Sequence, residues 1–120
     1  MTRRMEPGSR VEKPWGYEIL VAVNEHYAMK EIVLLGGTRS SLQSHEVKFE
    51  TILVLEGSLL LELEDSDGEI RCRTVTAGES YDVLPGRRHR VTAEVDVRLV
   101  EVSTPQLDDV IRHEDDYGRT

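Results

Sequence analysis

A single cysteine, Cys72, means that no internal disulfide can form, so packing and hydrogen bonds must hold the fold. The 120 residues include one tryptophan, one phenylalanine and four prolines. So few aromatic rings leave the core to Val, Ile and Leu. No apolar run is long enough to span a bilayer, and no secretory h-region is visible. With the lone thiol, these absences point to a soluble protein in a reducing compartment, most simply the cytoplasm. Cations are in the minority, 15 Lys and Arg against 23 Asp and Glu, for a net charge of −8. That balance argues against a general nucleic-acid or anionic-membrane surface. It leaves room for a small anionic ligand, because Arg39, Lys48, Arg87, Arg88 and Arg90 lie in or beside the most informative motifs. A solvated strand edge is the other reading of those five cations.

What is present is a β pattern. The length suits one domain, with residues 1–10 as a poorly ordered lead-in and residues 11–120 as the folded unit. From Tyr17 onward, apolar residues come in short runs separated by turn signals, without helical spacing. The predicted strands are Tyr17–Val23, His26–Leu35, Lys48–Leu55, Ser58–Glu64, Ile70–Val75, Tyr81–Leu84, His89–Ala93 and Asp96–Val102. Gly57, Asp67-Gly68 and Pro85-Gly86 supply turns. Leu59, Leu61 and Leu63 share one face of their strand and are expected inside. The fold class is all-β, a single small antiparallel barrel of about six to eight strands. Only Leu107–Glu114 reads as a short C-terminal helical turn.

The chemistry concentrates in Gln43-Ser-His45-Glu-Val-Lys-Phe-Glu50 and in Pro85-Gly-Arg-Arg-His89. Gln43 and His45 are two apart and point to one face of a strand. Glu50 opens an apolar strand, where a carboxylate needs a partner or a metal. An ion pair with Lys48 or an arginine is the plain alternative. His89 comes from the second motif. Two imidazoles and a carboxylate form a familiar metal set with open positions, and the Gln43 amide oxygen is a weaker fourth ligand. Val47 takes the next place on the face of His45, where a histidine would have added an imidazole. His26 and His113 read as structural or exposed. Lys30 has two possible parities: inward with Ala28, Ile32 and Leu34, or outward with Met29, Val33 and Leu35 inside. Inward, it becomes a candidate catalytic or phosphate-holding group beside Glu50.

The spacing from His45 through Glu50 to Gly57, followed by Gly78 and Pro85-Gly86-x-x-His89, resembles the two motifs of the cupin superfamily. Val11-Glu-Lys-Pro-Trp-Gly-Tyr-Glu18, His26-Tyr27-Ala28-x-Lys30, Arg39-x-Ser41-Leu42-Gln43-x-His45 and Asp108-Asp109-x-Ile111-Arg112-x-Glu114-Asp115-Asp116-Tyr117-Gly118-Arg119 resemble more narrowly the C-terminal cupin domain of type II mannose-6-phosphate isomerases. The resemblance runs from Val11 to Arg119. It implies a jelly-roll cupin with a divalent metal inside, zinc or manganese first, iron or nickel otherwise. It also implies that Gln43, His45, Glu50 and His89 hold the metal, and that Arg39, Lys48 and Arg119 bind substrate. Type I mannose-6-phosphate isomerases are similar in using Gln-x-His with a glutamate and a distant histidine. Val47, Thr51 and Lys48 stand where the type II family has histidine, histidine and arginine. The guanylyltransferase domain of those enzymes has no counterpart in these residues.

Three functions follow as expectations. One is a metal-dependent aldose–ketose isomerase of a sugar phosphate, with Lys30 and Glu50 as catalytic groups. Another is a non-catalytic sugar or nucleotide-sugar binding cupin with a degenerate metal site. The last is a non-haem iron oxygenase. The partner is a small sugar or sugar phosphate, with neither nucleic acid nor membrane. A homodimer is expected, anchored by an exposed Trp15.

Overall fold

Inside–outside alternation along the strands builds two facing sheets. The computed structural model describes residues 6–119. In chain order its strands are β1 (Arg10–Lys13), β2 (Gly16–Val23), β3 (Ala28–Leu34), β4 (Thr38–Arg39), β5 (Leu42–Ser44), β6 (Glu50–Glu56), β7 (Ser58–Glu64), β8 (Ile70–Thr76), β9 (Ser80–Val83), β10 (His89–Ala93), β11 (Val97–Ser103) and β12 (Ile111–Glu114). One sheet runs β1-β2-β3-β11-β6-β9, and the other runs β12-β5-β10-β7-β8 with β4 also on β10. All pairings are antiparallel. The eight predicted strands are all present. The expected closed barrel is not: edge strands β1 and β9 of one sheet do not pair with β12 and β8 of the other.

The tail corrects a second expectation. No helix occurs among the described residues. Leu107–Glu114 is a turn followed by β12, and Ile111, Arg112 and Glu114 pair with Ser44, Gln43 and Leu42. An isolated helical turn has almost no intrinsic stability. The open edge of β5 offers ready backbone partners instead. The N-terminal boundary also differs from the expected lead-in. Gly8 N–H donates to the Leu20 carbonyl at 2.6 Å, Leu20 N–H donates to the Ser9 carbonyl at 3.1 Å, and Arg10 already pairs with Ile19. Residues 1–5 of that lead-in lie outside the described residues.

Gly57 turns the β6–β7 hairpin with φ of 82°. A Cβ there would lie 2.5 Å from the Asp96 carbonyl oxygen, so only glycine fits. Leu59 and Leu61 are buried and Leu63 packs against the same cluster, as their shared parity requires. Each fully buried leucine contributes about 1.5–3 kcal/mol relative to exposure. Trp15 is 8% exposed and belongs to this core. It is therefore not the exposed anchor expected to bind a second copy.

Inward strips change character at one level of the sandwich. On β3 the buried side is Ala28, Lys30, Ile32 and Leu34. On β6 it is Glu50, Ile52 and Val54. Along β11 the same side carries Val97 and Leu99, then Glu101. Ladder register sets Lys30 opposite Glu101. One end of the interior is therefore hydrocarbon, and the other is a buried layer of charge. Lys30 takes the inward parity.

Candidate metal centre and ligand cavity

His45 follows β5 directly, Glu50 begins β6 and His89 begins β10. The Pro85-Gly86 turn joins the two motifs, because Gly86 N–H donates to the His45 carbonyl at 2.7 Å. His45, Glu50 and His89 are only 2%, 3% and 6% exposed, and one ligand atom from each lies within 4.8 Å of the others. Glu50 Oε1 stands 3.5 Å from His45 Nε2 and 3.3 Å from His89 Nε2. Two ligands each about 2.1 Å from an ion at the tetrahedral angle are separated by about 3.4 Å. The spacing fits a divalent ion.

The outer nitrogens support that fit. His45 Nδ1 donates to the Asp109 carbonyl at 2.5 Å, and His89 Nδ1 donates to the Arg87 carbonyl at 3.0 Å. A carbonyl only accepts, so Nδ1 carries the hydrogen in both rings. In the neutral ring this leaves a bare Nε2 facing inward, which is how metal-binding histidines are oriented. His45 Nε2, His89 Nε2 and Glu50 Oε2 are buried without a hydrogen-bond partner. In a protonated ring, Nε2–H faces Glu50, so protons and metal compete for the same atoms.

Lys48 Nζ is 3.2 Å from Glu50 Oε2 and 3.7 Å from Glu101 Oε2. The first distance suits an ion pair, although Oε2 lacks hydrogen-bond alignment. Burial disfavours the Glu50 charge, but His45, His89 and Lys48 outweigh it and hold the carboxyl well below its ordinary range. Burial likewise opposes the Lys48 charge, and Glu101 and Glu50 overcome it, so the ammonium pKa rises. Glu101 goes the other way: burial and the neighbouring Glu50 charge push it up to about 8, against the pull of Lys48. Folded Glu101 thus keeps a proton that its unfolded form releases near 4.5. This group's contribution to stability is full below pH 4.5 and is lost as pH rises towards 8. Glu101→Gln, which mimics the protonated acid, should gain stability relative to wild type between pH 5 and pH 8 in urea titrations. A constant difference across that range would show that Glu101 titrates normally.

Lys30 Nζ donates to Glu18 Oε1 at 2.9 Å, with both side chains nearly buried. This pair, Gln43, His45, Lys48 and Arg119 face one inner cavity of about 100 Å³. Gln43 also pairs in register with His89, and its Oε1 accepts from Ser41 Oγ at 2.8 Å. Val47 departs from the strand face assumed above. The chain bends at Glu46 and Val47, leaving Val47 60% exposed while His45 and Lys48 turn inward. Gln43, and not residue 47, is the neighbour of His45 in the cavity wall.

Most of the expected cationic cluster is engaged elsewhere. Arg39 lies in a separate surface depression and holds Asp116 through Nε and Nη2 at 2.5 and 2.8 Å. That position places it outside the lining of the inner cavity. Arg88 pairs with Glu64 at 3.2 Å, and Arg87 reaches the Glu64 carbonyl at 3.4 Å. Arg90 donates to the carbonyls of Ser40 and Glu114. Arg119 reaches the cavity, steadied by Asp115 at 3.0 Å. His26 is exposed. His113 is also exposed and meets Ser44 Oγ at 2.8 Å.

Sequence reasoning missed Glu18, Glu101 and Asp109. Strand parity would have revealed Glu101, which follows Val97 and Leu99 on one face, much as Glu50 precedes Ile52. Asp109 has no such local signal. Its carboxylate accepts the N–H groups of Glu46, Val47 and Lys48 at 3.0, 2.7 and 2.9 Å, and its carbonyl orients His45.

Comparison with known proteins agrees with this architecture. Residues 2–115 match the family model described as mannose-6-phosphate isomerase C-terminal. The chain belongs to that family. Among mannose-6-phosphate isomerase C-terminal relatives, xanthan biosynthesis protein XanB of Xanthomonas campestris pv. campestris is 29% identical, over 92% of this chain and 24% of that protein. Mannose-1-phosphate guanylyltransferase 2 of Escherichia coli O157:H7 is 30% identical, over 89% and 22%. The chain therefore spans about a quarter of these relatives' length. Oxalate decarboxylase from Bacillus subtilis superposes with a TM-score of 0.75 at 21% identity, covering 87% of this chain and 29% of that one. An oxalate oxidase gives 0.65 at 19%, covering 73% and 46%. These likenesses show the cupin fold of the family member. No helix of the described residues is long and apolar enough to cross a membrane.

Proposed function

We propose that this cupin is a metal-dependent isomerase of a phosphorylated sugar, acting in carbohydrate metabolism in the cytoplasm. The observation that carries the reading is the convergence of His45 Nε2, His89 Nε2 and Glu50 on one buried point beside a cationic cavity. His45, Glu50 and His89 would hold the ion, with Gln43 as a weaker fourth contact. Zinc or manganese there would act as a Lewis acid towards adjacent sugar oxygens. Lys48 and Arg119 attract the anionic group. Glu50 is committed to the imidazoles by its distances. The proton between neighbouring carbons is therefore moved by the Glu18–Lys30 pair, in which Lys30 holds Glu18 in position.

The test is an NMR assay of mannose 6-phosphate with zinc- or manganese-loaded protein. Conversion to the ketose is expected, and Glu18→Gln should slow it by at least about 100-fold while metal content is unchanged. Stoichiometric metal without turnover would exclude the isomerase. A second reading, a non-catalytic sugar-binding cupin, draws support from the 3.2 Å Lys48–Glu50 contact. That ammonium neutralises the carboxylate without an ion.

A further inference from the structure

The inner cavity opens into something much larger. A groove of about 830 Å³ lies outside it. Lys13, Glu18, Lys30 and Leu107 line both spaces, so the two adjoin. The inner cavity, at about 100 Å³, has room for fewer than about ten water-sized groups. A hexose phosphate has more atoms than that. Only part of such a ligand fits beside His45, and the remainder extends towards the groove.

Charge assigns the direction. Lys13, Lys30, Lys48, Arg112 and Arg119 line the inner cavity with two carboxyl groups, Glu18 and Glu101, so cations outnumber acids there. The groove instead presents Glu6, Glu25 and Asp108 with Asn24 and Gln106. Carboxylates and amides suit sugar hydroxyls and repel a second anionic group. No aromatic side chain lines the groove among the described residues, so a nucleotide base would find no stacking face.

We propose that the ligand is an extended glycoside whose anionic end enters the inner cavity while a second sugar ring lies in the outer groove, beside the Pro105–Asp109 strap. This rests on the sugar-phosphate binding of the reading above, not on its aldose–ketose chemistry, and extends the ligand to a phosphorylated disaccharide or longer chain. The strap serves both parts of the site. Gln106 and Asp108 line the groove, and the Asp109 carbonyl orients His45.

Calorimetry of the full chain with mannose 6-phosphate and with trehalose 6-phosphate, zinc-free and zinc-loaded, tests the proposal. Trehalose 6-phosphate should bind about tenfold tighter, equivalent to about 1.4 kcal/mol. Gln106→Trp narrows the groove and should erase that advantage, weakening trehalose 6-phosphate more than mannose 6-phosphate. Glu25→Trp, which intrudes from the β2–β3 turn, should do the same. Equal affinities, binding of neither sugar, or an advantage that survives both substitutions would overturn the proposal. Failure of the metal reading is distinguishable: it removes the effect of zinc on both ligands and leaves their ratio. Failure of the groove reading removes the ratio whatever zinc does.

Discussion

His45→Ala should abolish divalent-metal binding, lowering zinc affinity by more than about 100-fold, beyond the range usual for loss of an outer-shell partner. It removes one of the two imidazoles in a set whose one anionic member is Glu50. The companion variants carry the geometric argument. Gln43→Ala should weaken zinc only modestly, because an amide oxygen is the poorest of the four donors. Val47→His should leave affinity unchanged. Strand parity alone would have it tighten binding, but the bend at Glu46 and Val47 turns residue 47 to solvent. Zinc calorimetry, with cobalt absorption spectra to report coordination, measures all three. Undiminished binding by His45→Ala would refute the ligand set. Tighter binding by Val47→His would refute the bend.

Lys48→Met should destabilise the metal-free protein by about 3–5 kcal/mol, the usual cost of stranding a buried charge. Lys48 is 5% exposed and is the ammonium nearest to both Glu50 and Glu101. Methionine fills similar volume without the charge, so the loss reports electrostatics more than packing. Zinc should then rescue the variant, since an ion at the triad supplies the missing positive charge. Binding should also be tighter than in wild type, because no ammonium competes for Glu50. At a hundredfold excess over Kd, ligation adds about 2.7 kcal/mol. Thermal melts with and without zinc decide between the two functional readings. A larger zinc shift in Lys48→Met than in wild type supports the metal centre. No zinc shift in either protein leaves Lys48 as the permanent counter-ion of Glu50 and favours the binding protein.

Much of the fold was legible because strands of five or more residues carry their own signature. β7 shows it most clearly: Leu59 and Leu61 are buried between exposed or half-buried neighbours, and Gly57 marks the turn before them. The strands that went unread, β1, β4, β5 and β12, have two to four residues each. Too few alternations fit in such lengths, and, apart from β1 with its neighbour β2, their partners lie far along the chain. The same limit explains the tail, where an eight-residue stretch with weak helical character was captured by the edge of β5.

The site divides in the same way. Glu50, His45 and His89 could be named from the sequence because each breaks a local pattern: a carboxylate heading an apolar strand, and imidazoles within short motifs at strand ends. Residue type and spacing also carried the family resemblance. Which donor sits beside His45 depended on a bend, and a bend inverts every parity argument beyond it. Lys30 had two equal parities until ladder pairing with Glu101 and the Glu18 contact placed it inside. Arg39 resembled a phosphate ligand until Asp116, distant in sequence, took its guanidinium. Asp109 lay within the closing motif, but its role could not be read there because it consists of hydrogen bonds to residues more than sixty positions away. Strand pattern, turn chemistry and ligand types are short-range properties, and the amino-acid order alone determined them. Which charges meet in the buried layer, and which face the cavity, depends on contacts between distant segments. Only tertiary structure decides those, because a buried charge takes whichever partner the fold brings within reach.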